Sequence, residues 1–259
     1  MKPHHVISLF YVLAITFFIY APIATLVFYS FQDGSVPLPP FRGFSLRWYE
    51  AVLNDDKMIT SLWNSTIVAL VSSVIATALA FMAAYGLSRH TYRFSRLIQW
   101  LLIAPITVSY LVLALGLMLM FNYLGMTRSL FLVVIGHVVI NLPLCFGILY
   151  SQMGRHLVRY ELAARDLGAN AIQTMILITA PMILPAVLAA FALAVTFSWD
   201  EFIIAYLLTR FDVTLPVEIW GMMRRGLNPT TNAVGTLVFA ISVILVLIGE
   251  YINYRRAKT

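Results

Sequence analysis

The chain has 259 residues, 61% of them hydrophobic and only 11% charged, with a mean hydropathy of +0.88. A soluble domain carries about 25% charged residues, so composition excludes an ordinary globular enzyme, and the apolar bias excludes disorder, which follows from too little apolar surface to bury. The formal charge of +6 does not point to nucleic acid, because the basic residues fall in short runs between apolar stretches rather than on one folded face. Lipid is the solvent these proportions fit. The single cysteine, Cys145, has no partner for an internal disulfide and reads as a small buried hydrophobe.

A helix crosses the hydrocarbon core with about 20 mostly apolar residues. Six stretches are predicted to do so: Val6–Phe31, Ser65–Leu87, Leu97–Phe121, Leu130–Tyr150, Met175–Phe197 and Ala233–Gly249. None of the 17 basic or 11 acidic residues lies inside any of them. The first is too long for a signal h-region of about 7–15 residues and reads as a retained helix. The segment that follows it, Gln32 to Asn64, carries the proline-rich run Val36-Pro37-Leu38-Pro39-Pro40 and is too long for a simple turn, so it is expected to cap the outer face.

Six spans put both termini on one side. With the termini inside, ten basic residues are internal (Lys2, Arg89, Arg93, Arg96, Arg155, Arg159, Arg165, Arg255, Arg256 and Lys258) and seven external. The positive-inside rule then makes both termini cytoplasmic.

Within the spans, small residues at four-residue spacing mark contact faces: Ala76, Ala80 and Ala84 on the second, Ala186, Ala190 and Ala194 on the fifth. Prolines at 22, 105, 143, 181 and 185 free backbone carbonyls that neighbours or a cavity must satisfy. His137 and Asn141 lie four apart on one face of the fourth span, a candidate lining for a solute path; the alternative is a packed histidine bonded to a neighbouring helix. Between spans four and five, Leu157, Glu161, Ala164 and Gly168 recur at helical spacing, so a cytoplasmic helix is predicted over 157–168 with Gly168 as its stop. At the outer end of the fifth span stand Trp199, Asp200 and Glu201. Two carboxylates at a mouth attract cations, although loop acids are commonly just solvated. Phe202–Leu208 is too short to cross and is expected to re-enter the membrane or lie on its surface.

Catalytic patterns are missing. No Gly-x-x-x-x-Gly-Lys-Ser/Thr occurs to cradle ATP phosphates, no His-Glu-x-x-His to hold zinc, and no aspartate lies within a span. Gly86-Leu87-Ser88 has no histidine placed at matching depth to activate the serine. The chain reads as a non-catalytic transport or binding subunit.

The run Tyr160-Glu161-Leu162-Ala163-Ala164-Arg165-Asp166-Leu167-Gly168-Ala169, followed by Ile178-Thr179-Ala180-Pro181, resembles the cytoplasmic signature of binding-protein-dependent ABC importer permeases: Glu-Ala-Ala, three residues, Gly, nine residues, Ile-x-Leu-Pro. Aligned on Gly168, the residues Ala163, Ala164, Ile178 and Pro181 match, while Leu162 takes the glutamate position and Ala180 that of leucine. Ala104-Pro105-Ile106-Thr107, Asn141-Leu142-Pro143, Ser198-Trp199-Asp200-Glu201-Phe202, Leu215-Pro216-Val217-Glu218-Ile219-Trp220 and Arg225-Gly226-Leu227-Asn228-Pro229 are similar to the spermidine/putrescine branch.

The resemblance implies an all-α polytopic fold, a single transmembrane domain over 1–259 with six helices and a coupling helix, in the bacterial inner membrane. It implies two cytoplasmic ATPase subunits that bind ATP and Mg, a second homologous permease and a periplasmic substrate-binding protein, with no cofactor held by this chain. Glu161, Leu162, Ala163, Ala164 and Gly168 would couple to the ATPase. Tyr110, beside Ser109, stands where the branch commonly carries a Pro-acid pair, and joins His137, Asn141, Trp199, Asp200 and Glu201 as a candidate path residue. An ion-coupled secondary carrier using His137, Asp200 and Glu201 is the alternative, although such carriers usually hold a charge at the midplane; a membrane-anchored assembly factor is a third reading.

Overall fold

The computed structural model describes residues 3–37, 39–90, 92–226 and 229–256. Leu38 of the proline-rich run, Leu227 and Asn228 of the Arg225–Pro229 motif, and the cations Lys2 and Lys258 lie outside the described residues. The helices are α1 (Pro3–Ser30), α2 (Arg47–Leu53), α3 (Asp56–Arg89), α4 (Ser95–Ile103), α5 (Tyr110–Tyr123), α6 (Leu130–Ser151), α7 (Arg155–Asp166), α8 (Ala171–Thr174), α9 (Ala180–Met182), α10 (Leu184–Asp200), α11 (Ile203–Leu208), α12 (Leu215–Arg225) and α13 (Pro229–Arg256). A tight 3-10 turn, Ala104–Thr107, leads from α4 towards α5, and a π-helical segment, Met175–Thr179, joins α8 to α9. Among the described residues the only β pairing is an isolated bridge between Gln32 and Phe44. The chain is an all-α polytopic membrane protein.

Each of the six apolar stretches is largely helical, but not all are continuous or straight. Leu9–Ser30 of α1, all of α3 and all of α6 are long and apolar enough to cross as they stand, and the sixth stretch lies within α13. With 34 residues, α3 is about 51 Å long at 1.5 Å per residue and outreaches a hydrocarbon core of about 30 Å. Its start is fixed by Asp55, whose Oδ1 accepts the Lys57 N–H at 2.9 Å. Asp56 in its first turn and Arg89 in its last complement the helix dipole.

The stretches over 97–121 and 175–197 are instead broken. Ser95–Thr107 and Tyr110–Tyr123 meet at 107°. Pro105 lacks the N–H that would continue the ladder, the chain tightens into the 3-10 turn, and Val108 then goes extended at ψ 137°. The second break, 79° between Ala171–Met182 and Leu184–Asp200, has Pro181 and Pro185 on either side of Ile183, which leaves helical geometry at φ −105° and ψ 16°. The π segment immediately upstream carries the irregularity back one turn.

The chain gathers into two compact units, Met1–Ile59 with Glu218–Thr259, and Thr60–Val217. In the first, α13 packs against α1 and α2. A Cβ on Gly235 would meet Leu26 Cδ1 at 3.2 Å, so the glycine permits close helix approach. The segment after α1 is tied back to it, where Ser30 Oγ shares a hydrogen bond with Tyr49 Oη at 2.5 Å and the rings of Phe28 and Phe41 meet tilted at 4.6 Å, and it is closed on itself by Trp48 Nε1, which donates to the Gln32 carbonyl at 2.7 Å.

In the second unit the two alanine stripes meet. Ala76, Ala80 and Ala84 of α3 share one core with Cys145, Phe146 and Leu149 of α6 and with Ala190 and Ala194 of α10. A second core joins Val68, Ala114, Phe121, Leu132, Val133 and Ile140 to Ile204, Ala205 and Leu208 of α11. The short apolar stretch 202–208 is thus packed against α5 and α6 rather than laid on an outer surface. Its approach to α6 depends on Gly136, where an added Cβ would stand 2.5 Å from Ile204 Cγ2 and 3.2 Å from Leu208 Cδ1.

Gly147, on the same helix, faces open space. Gly136→Val is therefore expected to cost about 1–3 kcal/mol by overpacking and to lower the melting temperature in detergent micelles. Gly147→Val, which changes helix propensity equally, should leave it nearly unchanged; equal shifts would show that α11 is not seated on Gly136.

Candidate functional site

The polar residues of α6 face α10 one turn after another. His137 Nδ1 lies 2.6 Å from Ser198 Oγ, Asn141 Nδ2 donates to the Ala194 carbonyl at 3.3 Å, and Cys145 Sγ donates to the Ala190 carbonyl at 3.6 Å. The paired numbers run in opposite senses, so the helices are antiparallel and every fourth residue of each meets the other. Small side chains on α10 expose its carbonyls to these donors, which is how polar groups are satisfied without water. From α3, Ser72 Oγ shares a hydrogen bond with Ser198 Oγ at 3.0 Å and Thr77 Oγ1 with Cys145 Sγ at 3.7 Å, so three helices meet along one polar seam.

The seam also reaches Glu201. Its Oε2 accepts the Ile204 N–H at 2.9 Å, holding the start of α11, and stands 4.0 Å from His137 Nε2. His137, Asn141 and Glu201 are brought together and buried, at 1%, 1% and 6% exposure. The adjacent acids part company: Asp200 is exposed and Trp199 half-buried. Tyr110 opens α5 just after the 107° bend, half-buried against the second core.

A separate cluster surrounds α7. Arg89 Nε donates to Glu161 Oε2 at 2.6 Å and Arg89 Nη2 to Glu161 Oε1 at 3.0 Å, a two-pronged pair whose side chains are 7% and 4% exposed. Thr179 Oγ1 donates to Glu161 Oε1 at 2.7 Å, and Arg89 Nη1 to the Met153 carbonyl at 3.2 Å. Leu157, one turn before Glu161, is also buried.

The opposite face of α7 points outward. Tyr160, Leu162 and Leu167 are exposed, Leu162 at 54% and Leu167 at 90%, Ala163 is exposed beside them, and Ala164 is half-buried. Tyr160, Ala163, Ala164 and Leu167 form one wall of an open apolar groove of about 500 Å³, with Leu177, Ile178 and Pro181 opposite. The helix ends in a Schellman turn: Gly168 at φ +94° donates to the Arg165 carbonyl at 2.9 Å, and Ala169 to that of Ala164 at 3.0 Å. A capping box between Asn170 and Gln173 then starts α8.

Several of these partners were not singled out from the sequence. Ser198 continues the small-residue stripe of Ala186, Ala190 and Ala194 by one more four-residue step, so its contact with α6 had a readable signal. Ser72, Thr77 and the Arg89–Glu161–Thr179 cluster had none, because nothing local tells which distant side chain meets a single loop acid.

Removing the shared hydroxyl with Ser198→Ala takes the partner from His137 Nδ1 and leaves Ser72 Oγ with only the Ala69 carbonyl of its own helix. A loss of about 1–2 kcal/mol in SDS-unfolding titrations is expected. Thr196→Ala, whose hydroxyl bonds only the Ala192 carbonyl of its own helix, should change little. Equal effects would show that Ser198 does not join the three helices.

Comparison with known proteins matches this architecture. The family described as "Binding-protein-dependent transport system inner membrane component" matches residues 76–258. The chain is 27% identical over 247 residues to the spermidine/putrescine transport system permease protein PotC of Escherichia coli strain K12, covering 95% of this chain and 93% of that protein. It is 32% identical over 250 residues to the putrescine transport system permease protein PotI of the same organism, covering 93% and 88%. Among solved structures it is similar in fold to a chain of a bacterial alginate ABC transporter in complex with an alginate pentasaccharide-bound periplasmic protein, with a TM-score of 0.73 at 17% identity over 98% of this chain and 95% of that one. A long all-α chain with broken spans, matched over most of its length, thus belongs to the binding-protein-dependent transport system inner membrane components, the multi-pass permease subunits of ABC importers.

Proposed function

We propose that this permease carries a polyamine of the spermidine or putrescine class inward by alternating access, driven by ATP hydrolysis in partner subunits. The solute class rests on the polyamine permeases to which the chain is similar over nearly its whole length. The coupling role of α7 rests on its two faces, Leu157 and Glu161 turned inward and Tyr160, Leu162, Ala163 and Leu167 turned outward beside an apolar groove. An exposed apolar face on a short helix that also carries Arg155 and Arg159 suits docking in a protein groove on the cytoplasmic side, and the small Ala163 and Ala164 permit close approach.

In this reading six spans cross the membrane, both termini are cytoplasmic, two ATPases hold the ATP and Mg, a second homologous permease completes the pore, and a periplasmic binding protein delivers solute. Leu162 fills the position of the signature glutamate with apolar surface aimed at the ATPase, and Gly168 supplies the turn that presents it. Tyr110, His137, Asn141, Trp199, Asp200 and Glu201 are the candidate path residues. The first of these stands just after the 107° break, and His137, Asn141 and Glu201 belong to the polar seam. Membership in the family favours ATP-driven import over an ion-coupled carrier.

Gly168→Trp forces a β-carbon into a left-handed backbone at φ +94°. It is expected to abolish co-purification of the cognate ATPase while membrane insertion is retained; wild-type association would overturn the coupling role of α7. For the solute, proteoliposomes holding the permease pair and the ATPase, supplied with the binding protein, should accumulate labelled putrescine or spermidine only with ATP inside the ATPase compartment. Accumulation of neither polyamine, with ATP hydrolysis intact, would overturn the polyamine assignment alone.

A further inference from the structure

We propose that Arg89, Glu161 and Thr179 form a clasp that makes α7 and the C-terminal end of α3 one rigid lever and ties that lever to the broken span ahead of α10. The inference rests on the reading of α7 as the ATPase-docking helix and adds how a push on that helix reaches the spans. All three are positioning residues.

The geometry is that of a joint. Arg89 is the last residue of α3, and its guanidinium uses three nitrogens at once: Nε and Nη2 on the two oxygens of Glu161, and Nη1 on the Met153 carbonyl in the link between α6 and α7. A fork against a carboxylate fixes orientation as well as distance, which a single contact does not. Glu161 Oε1 then takes a further hydrogen bond from Thr179, the last residue of the π segment, two residues before Pro181 and the 79° break.

One carboxylate therefore binds α7 to the end of one span and to the weak point of another. Burial makes the joint stiff. With side chains 7% and 4% exposed, neither charge has water as an alternative partner, so the pair cannot loosen without leaving a charge uncompensated. A buried ion pair contributes little net stability over an apolar replacement but holds one geometry. On this account a force on the exposed face of α7 moves α3 as a body and flexes the chain at Ile183, where the helix is already open. Leu162, 100° around the helix from Glu161, is free for docking because the neighbouring acid is committed inward.

The test uses spin labels at Arg159→Cys on α7 and Met82→Cys on α3, both exposed positions. Cys145 is fully buried and stays unlabelled. The distance between labels is read in proteoliposomes for the permease alone and for its complex with the ATPase under ATP and vanadate. The clasp predicts one narrow distance in both conditions.

Glu161→Gln alone strands a buried guanidinium and can fail to fold. The informative variant is Arg89→Met/Glu161→Met, which removes both charges together, supported by Arg89→Lys, which keeps the charge and loses the fork. Both variants should lose the narrow distance and show a shift on addition of ATP and vanadate, with ATPase co-purification as in the wild type. Wild-type narrow distances in both variants would overturn the clasp. Docking is read by co-purification and the clasp by distance in the permease alone, so failure of one is distinguishable from failure of the other.

Discussion

Inside hydrocarbon a polar group has no water to turn to, so each one must find its partner in the protein. The packing of residues 60–217 follows from that constraint. His137, Asn141 and Cys145 recur every fourth residue on α6 and take their partners from α10 at Ser198, Ala194 and Ala190. Alanine and serine on α10 serve two ends at once: they let the backbones approach, and they leave the carbonyls reachable. Larger side chains at 190 and 194 would cover those carbonyls and strand the donors opposite, so the small-residue stripe and the polar seam are one feature seen from two helices.

The same constraint decides where charge is tolerated. Every lysine, arginine, aspartate and glutamate is kept out of the six apolar stretches. The two buried acids in the second unit are both held. Glu161 is held by a fork of arginine nitrogens and a threonine hydroxyl, and Glu201 by a backbone N–H at the start of α11 with His137 Nε2 4.0 Å away. Exposed acids such as Asp200 keep their water.

Proline shows how far sequence reaches and where it stops. All the apolar stretches could be located because charge exclusion and length act locally, and the prolines within them were visible too. Their effects differ: α1 runs on through Pro22 and α6 through Pro143, whereas the chain breaks by 107° after Pro105 and by 79° between Pro181 and Pro185. A missing N–H is local, but whether the freed carbonyl is tolerated depends on what packs beside it, which is tertiary information. The signature loop divides in the same way. Gly168 as the helix stop was legible, since a Schellman turn needs a residue that accepts positive φ. The inward direction of Glu161 was not, because it is set by Arg89, seventy-two positions earlier.

These elements combine into one account: a seam of small and polar residues holds the spans together, and, in the function proposed above, a short helix with Glu161 turned inward and apolar residues turned outward links them to the ATPase. The most direct measurement of that link places a photoreactive benzophenone side chain at Leu162 and irradiates the permease in membranes containing the cognate ATPase. The account predicts a covalent adduct with the ATPase subunit from position 162 and none from the buried position 157. Adducts from 162 with lipid alone, in membranes where the ATPase is bound, would contradict it.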